Sequence, residues 1–305
     1  MDVRGLWVPL LTPMARGGAL DLDVLGPHVD RLLAAGVDGF VALGTTGEFA
    51  DLDDAERPEV IRAAVAAVAG RAPVLAGVGG VGTTAARAQA RAAEEAGADG
   101  VLVLPPLYWK LDTERLIAHY AAVSDACGLP LMLYDFPALA GTGLTAEVIS
   151  RVAREVPRII GIKLSGPDLR LLHAVVAAVE PADFAVMVGQ DALLVPAVLA
   201  GARGGILAVA NVLPEVARGA LDALAQDDLA MLRRHHERLL MLGRLGQLAN
   251  PPLLALKAAA AAAGSPMQAW TRTPVPDGEE VARRATALVR ELLQPNREVA
   301  AAGQP

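Results

Sequence analysis

The chain has 305 residues, 53% hydrophobic and 20% charged, with 30 Gly and 21 Pro, which is ample apolar material for a globular core. Acidic residues outnumber basic ones by 34 to 27, a net charge of −7, and no basic run is present, so nucleic acid is not an expected partner. The single cysteine, Cys127, rules out an internal disulfide and a cysteine metal cluster, and reads as a small buried hydrophobe in a reducing cytoplasm.

The N-terminus carries Asp2, Pro9 and Pro13 and has no charged segment followed by a long apolar one, so an export signal is not expected. From there, short β-branched or aliphatic runs alternate with longer segments of helical period, the pattern of βαβ units. Strands are expected at 6–10, 40–43, 74–78, 101–104, 131–136, 159–164, 184–188 and 206–209. Helical segments such as 53–69, 83–96, 113–126 and 145–155 lie between them, several opened by a capping Thr or Asp.

Three copies of an Ala-Gly-x-x-Gly pattern, starting at Ala35, Ala96 and Ala200, each end a helix and lead into a strand. Their separations fit two and four βα units, which makes them the entries to strands two, four and eight. The apolar stretch 192–213 has the length of a membrane span, but Arg203, Pro196 and Gly201, Gly204 and Gly205 divide it into a short helix and a strand. Three helices follow, near 229–245, 252–263 and 279–293. The expectation is an α/β fold, a (β/α)8 TIM barrel over 1–226, a helical extension over 227–294 and a flexible tail over 295–305.

In such a barrel the residues leaving the C-terminal ends of the strands carry function. Strand two exits into Gly44-Thr45-Thr46-Gly47-Glu48, strand four into Pro105-Pro106-Leu107-Tyr108, and strand five ends in Tyr134-Asp135-Phe136-Pro137. Strand six carries Lys163, one of only three lysines, with Lys110 and Lys257. Alternation points Lys163 into the barrel with Gly161. Withdrawal from water disfavours the charged form of an amine, so Lys163 reads as a Schiff-base nucleophile, or else as a snorkelling or acid-paired lysine. The Gly44–Glu48 loop can hold a carboxylate or phosphate on adjacent amides, or is an ordinary capped βα turn. Tyr108 and Tyr134 read as proton relays or as packed aromatics.

Gly77-Val78-Gly79-Gly80-Val81-Gly82 matches the dinucleotide pattern G-x-G-x-x-G. It sits in the third unit, however, and the next strand ends in Pro105-Pro106 where a ribose-binding acid is wanted, so it reads as a tight turn. His235 and His236 are adjacent on a helix and face different ways, with no metal-ligand spacing; a solvated helix face is expected.

Gly44-Thr45-Thr46-Gly47-Glu48, Tyr134-x-x-Pro137-x-x-x-Gly141 and Gly161-Ile162-Lys163, in this order and spacing, resemble the dihydrodipicolinate synthase and N-acetylneuraminate lyase family. The resemblance extends through Gly189-Gln190-Asp191 and Gly204-Gly205-Ile206 and covers nearly the whole chain. It implies the barrel with its helical extension, a homotetramer, no metal or organic cofactor, and a lysine imine with a 2-oxo acid, commonly pyruvate. By motif, Lys163 forms the imine and Tyr134 transfers protons. Thr45 and Tyr108 complete the relay, Tyr108 often at a neighbouring subunit's site. Gly44 and Thr46 hold the substrate carboxylate, and Gly189, Asp191 and Ile206 line the substrate site.

Synthases of the family carry Arg two residues after the Pro of Tyr-x-x-Pro; here that position is Leu139, and Asp135 replaces the usual Asn. The segment therefore looks more like the lyase branch, with Asp191 free to bind a substrate hydroxyl or to cap a helix. The leading expectation is a class I aldolase or lyase making or cleaving a carbon–carbon bond next to an enamine of pyruvate, with an aldehyde as the other component and no membrane partner. The alternatives are dihydrodipicolinate synthase itself, acting on pyruvate and aspartate semialdehyde, and a binding or regulatory barrel.

Overall fold

The computed structural model describes residues 1–180 and 183–294. Eight parallel strands close into one barrel in sequence order: β1 (Gly5–Pro9), β2 (Gly39–Ala42), β3 (Val74–Val78), β4 (Gly100–Val103), β5 (Leu131–Asp135), β6 (Ile159–Leu164), β7 (Ala185–Val188) and β8 (Gly204–Ile206). The outer ring comprises α1 (Leu25–Ala34), α2 (Glu56–Val68), α3 (Thr83–Glu95), α4 (Thr113–Ala126), α5 (Pro137–Ala140), α6 (Ala146–Glu155), α7 (Leu169–Ala178), α8 (Leu194–Leu199) and α9 (Pro214–Ala225). The extension adds α10 (Leu229–Gly243), α11 (Leu253–Ala262) and α12 (Gly278–Leu293). The expected tail, 295–305, lies outside the described residues. Among the described residues no helix is long and apolar enough to cross a membrane.

Both faces of a closed parallel sheet are covered, so the strands read as continuous apolar runs. The outward face packs under the helices. The inward face forms a separate core that includes Trp7, Val41, Leu75, Leu102, Met132, Tyr134, Met187 and Ile206. Trp7 is sealed in this interior and donates its indole hydrogen to the Arg4 carbonyl at 3.0 Å. Truncating it to Ala would cost about 3–5 kcal/mol.

Sequence reading and structure part at four places. Strand eight, expected at 206–209, runs over Gly204–Ile206. A Cβ on Gly204 would meet the Gly5 carbonyl oxygen at 1.9 Å, so the closing seam needs a glycine that reads as a turn. Beyond it, the Asn211 amide donates to the carbonyls of Pro9 (2.8 Å) and Ala208 (3.0 Å) and draws 208–211 into a 3-10 turn. The helix expected from 53 starts at Glu56, because the Asp53 carboxylate accepts from the amides of Ala55 and Glu56, each at 2.9 Å. His235 and His236 are half-buried rather than on a solvated face, and the His235 ring lies against Gly219 of α9.

The fourth difference positions the site. Leu131 pairs with Ile159 and Met132 with Gly161, so Ile160 is an extra residue, a bulge in β6. Past it, Ile162 and Leu164 face the outer core, and Lys163 stands in register with Tyr134 on the neighbouring strand.

Candidate active site

Strand β2 leaves the barrel through Leu43, whose φ is 57°, into a 3-10 turn over Thr45–Gly47, and the chain departs through Glu48 at φ 56°. Two left-handed non-glycine residues bracketing one short turn mark a backbone held by its surroundings. The turn bonds run from the amides of Gly47 and Glu48 to the carbonyls of Gly44 (2.9 Å) and Thr45 (3.2 Å). The amides of Thr45 and Thr46 head the turn, where such a turn supplies no acceptor of its own. Thr12 pins its far side, donating to the Gly47 carbonyl at 2.6 Å. Thr46 is buried and Thr45 half-buried.

Thr45 Oγ1 and Tyr134 Oη are 3.3 Å apart, a hydrogen bond in which either can donate. Lys163 Nζ lies over the Tyr134 ring, 4.6 Å from its centroid, and the lysine is only 5% exposed. Among the described residues it makes no ion pair and no side-chain hydrogen bond; the ring face is its polar neighbour. A Cβ on Gly189 would fall 2.8 Å from Lys163 Cε and 2.0 Å from Ser165 Oγ, so the glycine at the end of β7 makes the room in which the lysine stands. Gln190 donates to the Ser165 carbonyl at 2.7 Å and ties the exits of β6 and β7 together.

Asp191 opens the 3-10 turn that follows, and its Oδ1 is sealed from solvent without a hydrogen-bond partner. Burial pushes its carboxyl up to about 6, against the opposing pull of the Val209 amide and of Lys163. Ile206 is wholly buried in the same interior core as Tyr134. Asp135 is buried behind the site, where Oδ1 accepts from the Leu144 amide at 2.8 Å. That bond anchors the segment after α5, and burial pushes the Asp135 carboxyl above its usual range.

The structure thus brings together Thr45, Tyr134, Lys163, Gly189, Asp191 and Ile206, with Gly44 and Thr46 in the adjoining turn. A small cavity lined by Gly44, Thr45, Phe49, Leu104 and Tyr134 opens beside them. Grooves between α2 and α3, and between 48–51 and the extension, lie away from the lysine. Two expected residues stay outside the cluster within one chain. Tyr108 is 72% exposed, its ring edge-on to Trp109 at 5.0 Å. Leu139 is exposed on α5.

Sequence reading missed Ser165 and gave Gln190 no role beyond its place in the family resemblance; both are polar residues close behind Lys163 and Gly189. It also passed over the partners of Glu48. The Glu48 side chain is wholly buried with Oε1 2.5 Å from Nζ of Lys257, itself wholly buried on α11. The rarity of lysine was the available signal for that contact.

A barrel whose interior core is topped by a buried lysine, without an ion-pair partner among the described residues, against a tyrosine that a hydroxyl meets is an arrangement compatible with lyases of the class I aldolase kind, which work through a lysine imine of a 2-oxo acid. The chain belongs to the dihydrodipicolinate synthetase family, whose model matches residues 2–292. Among its relatives, YagE of Escherichia coli (strain K12), provisionally named a 2-dehydro-3-deoxy-D-gluconate aldolase, is 34% identical over 292 residues, covering 95% of this chain and 96% of that one. A 4-hydroxy-tetrahydrodipicolinate synthase of Methanospirillum hungatei JF-1 is 34% identical over 294 residues, covering 95% and 98%. The crystal structure of E. coli K12 YagE in complex with pyruvate superimposes with a TM-score of 0.89 at 33% identity, covering 95% of this chain and 98% of that one. The chain is an aldolase or lyase of this family.

Proposed function

We propose that Lys163 is the imine-forming residue and that the enzyme joins pyruvate to, or releases it from, a neutral or hydroxylated aldehyde such as the tail of a deoxy sugar acid. The observation that carries this reading is the lysine itself, sealed over the Tyr134 ring with no ion-pair partner among the described residues. Its amine adds to C2 of the 2-oxo acid and water leaves; a base then takes a proton from C3, and the C3–H electron pair moves toward the iminium to give an enamine. In the cleavage direction a base takes the proton of the C4 hydroxyl, the C3–C4 bond breaks, and its electron pair enters the iminium. Tyr134 moves these protons, with Thr45 as its hydrogen-bonded relay. Gly44, Thr45 and Thr46 hold the carboxylate and so align the 2-oxo carbon with the amine. Gly189 and Ile206 shape the space around the imine, and Asp191 accepts a hydroxyl of the aldehyde portion.

Residue 139 supports the substrate choice by its type: where synthases of the family carry Arg this chain has Leu, which offers no charge-assisted contact to a second carboxylate. The enzyme acts as a homotetramer in the cytoplasm. The exposed Tyr108 and Trp109 form an aromatic pair for a second copy to cover, with Tyr108 completing the neighbour's relay. Neither a metal nor an organic cofactor has a part in this chemistry. The second reading is condensation of pyruvate with aspartate semialdehyde, favoured by the M. hungatei synthase among the relatives. A panel of 2-oxo-3-deoxy sugar acids, assayed for pyruvate release, tests the choice. Release at about 1 s⁻¹ or faster from a sugar acid is expected; none from any of them, with comparable turnover of aspartate semialdehyde, overturns it.

A further inference from the structure

The turn carrying Thr45 and Thr46 is gripped from the other end of the chain. Past the contact with Lys257, Glu48 Oε2 accepts from the Arg272 amide at 3.3 Å. Lys257 Nζ meets Oε1 off the axis of an aligned hydrogen bond and donates to the Trp270 carbonyl at 2.6 Å. The Arg272 guanidinium donates to the carbonyls of Asp51 (2.9 Å) and Gly18 (2.8 and 3.1 Å) and to both carboxylate oxygens of Glu56 (2.5 and 2.8 Å). Thr273 donates to Asp51 Oδ1 at 2.9 Å. Charge-assisted bonds therefore hold residues 48–51, the exit of the turn, against the segment after α11.

A left-handed non-glycine residue persists where packing over-determines it. Glu48 owes that to Lys257 and Arg272, more than 200 positions away in the sequence. Two apolar side chains could fill the same volume, whereas a carboxylate fixed by an ammonium on one oxygen and an amide on the other sets the orientation of the backbone it terminates.

We infer that Lys257, acting through Glu48, is a positioning residue for the 2-oxo acid: it holds the Thr45–Gly47 turn in the shape that receives the carboxylate, so the helical extension sets substrate affinity in the barrel. This rests on the reading that Thr45 and Thr46 take that carboxylate. Lys163 stands on β6 and makes no bond to the turn, so loss of the hold weakens pyruvate binding and leaves the yield of imine at saturation intact, while the rate at which the Thr45–Tyr134 pair passes protons is a separate quantity.

Borohydride trapping at graded pyruvate concentrations gives both quantities, the half-saturating concentration and the adduct yield at saturation. Lys257→Met is expected to raise the half-saturating concentration about tenfold and to reach the wild-type plateau. Glu48→Gln/Lys257→Met leaves no unpaired buried charge and regains thermal stability, yet its half-saturating concentration stays raised. Lys257→Arg, which keeps the charge and the donors, restores part of the affinity. Arg272→Ala, at the partly exposed end of the same strap, raises the value about threefold and carries the test where a buried variant does not fold. Wild-type half-saturation in any of the folded Met or Ala variants overturns the inference, as does a double variant in which affinity returns together with stability. No trapping of the wild type at any pyruvate concentration overturns the functional reading, and this inference with it.

Discussion

Lys163 and Lys257 are both buried, one at the end of a barrel strand and the other in the middle of α11, and their surroundings have little else in common. Lys257 has a carboxylate and a carbonyl on its ammonium. Burial pulls its proton affinity below the ordinary lysine value while Glu48 pulls it back. Lys163 has an aromatic face on one side, a glycine that clears space on another, and Asp191 near enough to be felt electrostatically. An amine whose donors are occupied anchors a fold. One with a direction left open can add to a carbonyl carbon.

The difference can be broken from either side. Lys163→Ala should lower kcat/KM by at least about 10⁴-fold, as loss of a covalent nucleophile does elsewhere, with a melting temperature equal to or above the wild type. Steady-state assay and thermal melting in parallel check it. Lys257→Met should invert the pattern, losing about 3–5 kcal/mol because Glu48 is left charged and unpaired in a sealed site, while still forming the Lys163 adduct. Urea denaturation reads that loss.

Two changes sharpen the account of the open site. Tyr134→Phe keeps the ring under Lys163 but removes the hydroxyl that meets Thr45, and kcat should fall about 10²–10³-fold. A rise in KM with kcat unchanged would assign Tyr134 to binding instead. Leu139→Arg should shift the ratio of kcat/KM for aspartate semialdehyde over glyceraldehyde, each condensed with pyruvate, about tenfold toward the semialdehyde. An unchanged ratio in a folded variant that still forms the imine would mean that Leu139 does not face the aldehyde.

The smallest effect is one of pH. Asp191 titrates near 6 in the folded chain, above the ordinary aspartate value. Between about pH 4 and 6 the folded chain therefore keeps a proton that the unfolded chain has released, so this group makes the fold less stable as pH rises through that window. Activity runs the other way. If the carboxylate accepts an aldehyde hydroxyl, kcat/KM for polyhydroxylated aldehydes rises through pH 6, and the inflection disappears in Asp191→Asn.

What could be read in advance follows the range of the forces involved. Eight apolar runs, the cap at Thr145 and the motifs at strand exits are local patterns, and they were legible; Thr83 and Thr113, expected to cap, lie inside helices that start after Gly82 and Asp112. The bulge at Ile160 was not, because it arises from how β5 and β6 pair. Gly204 looks like a loop residue until the Gly5 carbonyl is brought against it. The Glu48–Lys257 contact joins residues at opposite ends of the chain, and nothing in the spacing around either announces the other. Leu139 and Tyr108 illustrate a different gap: their positions at strand exits were plain, whereas their exposure in a single chain was not.

The most direct test of the contrast between the two lysines is peptide mapping after borohydride reduction in the presence of pyruvate. With Lys110, Lys163 and Lys257 the only lysines in the chain, each falls in its own peptide and the site of modification is read by mass. The expected result is one reduced pyruvyl adduct, on the peptide containing Lys163, with Lys257 unmodified in the folded enzyme. An adduct on Lys257 or Lys110 instead, or no adduct on intact folded protein, would contradict it.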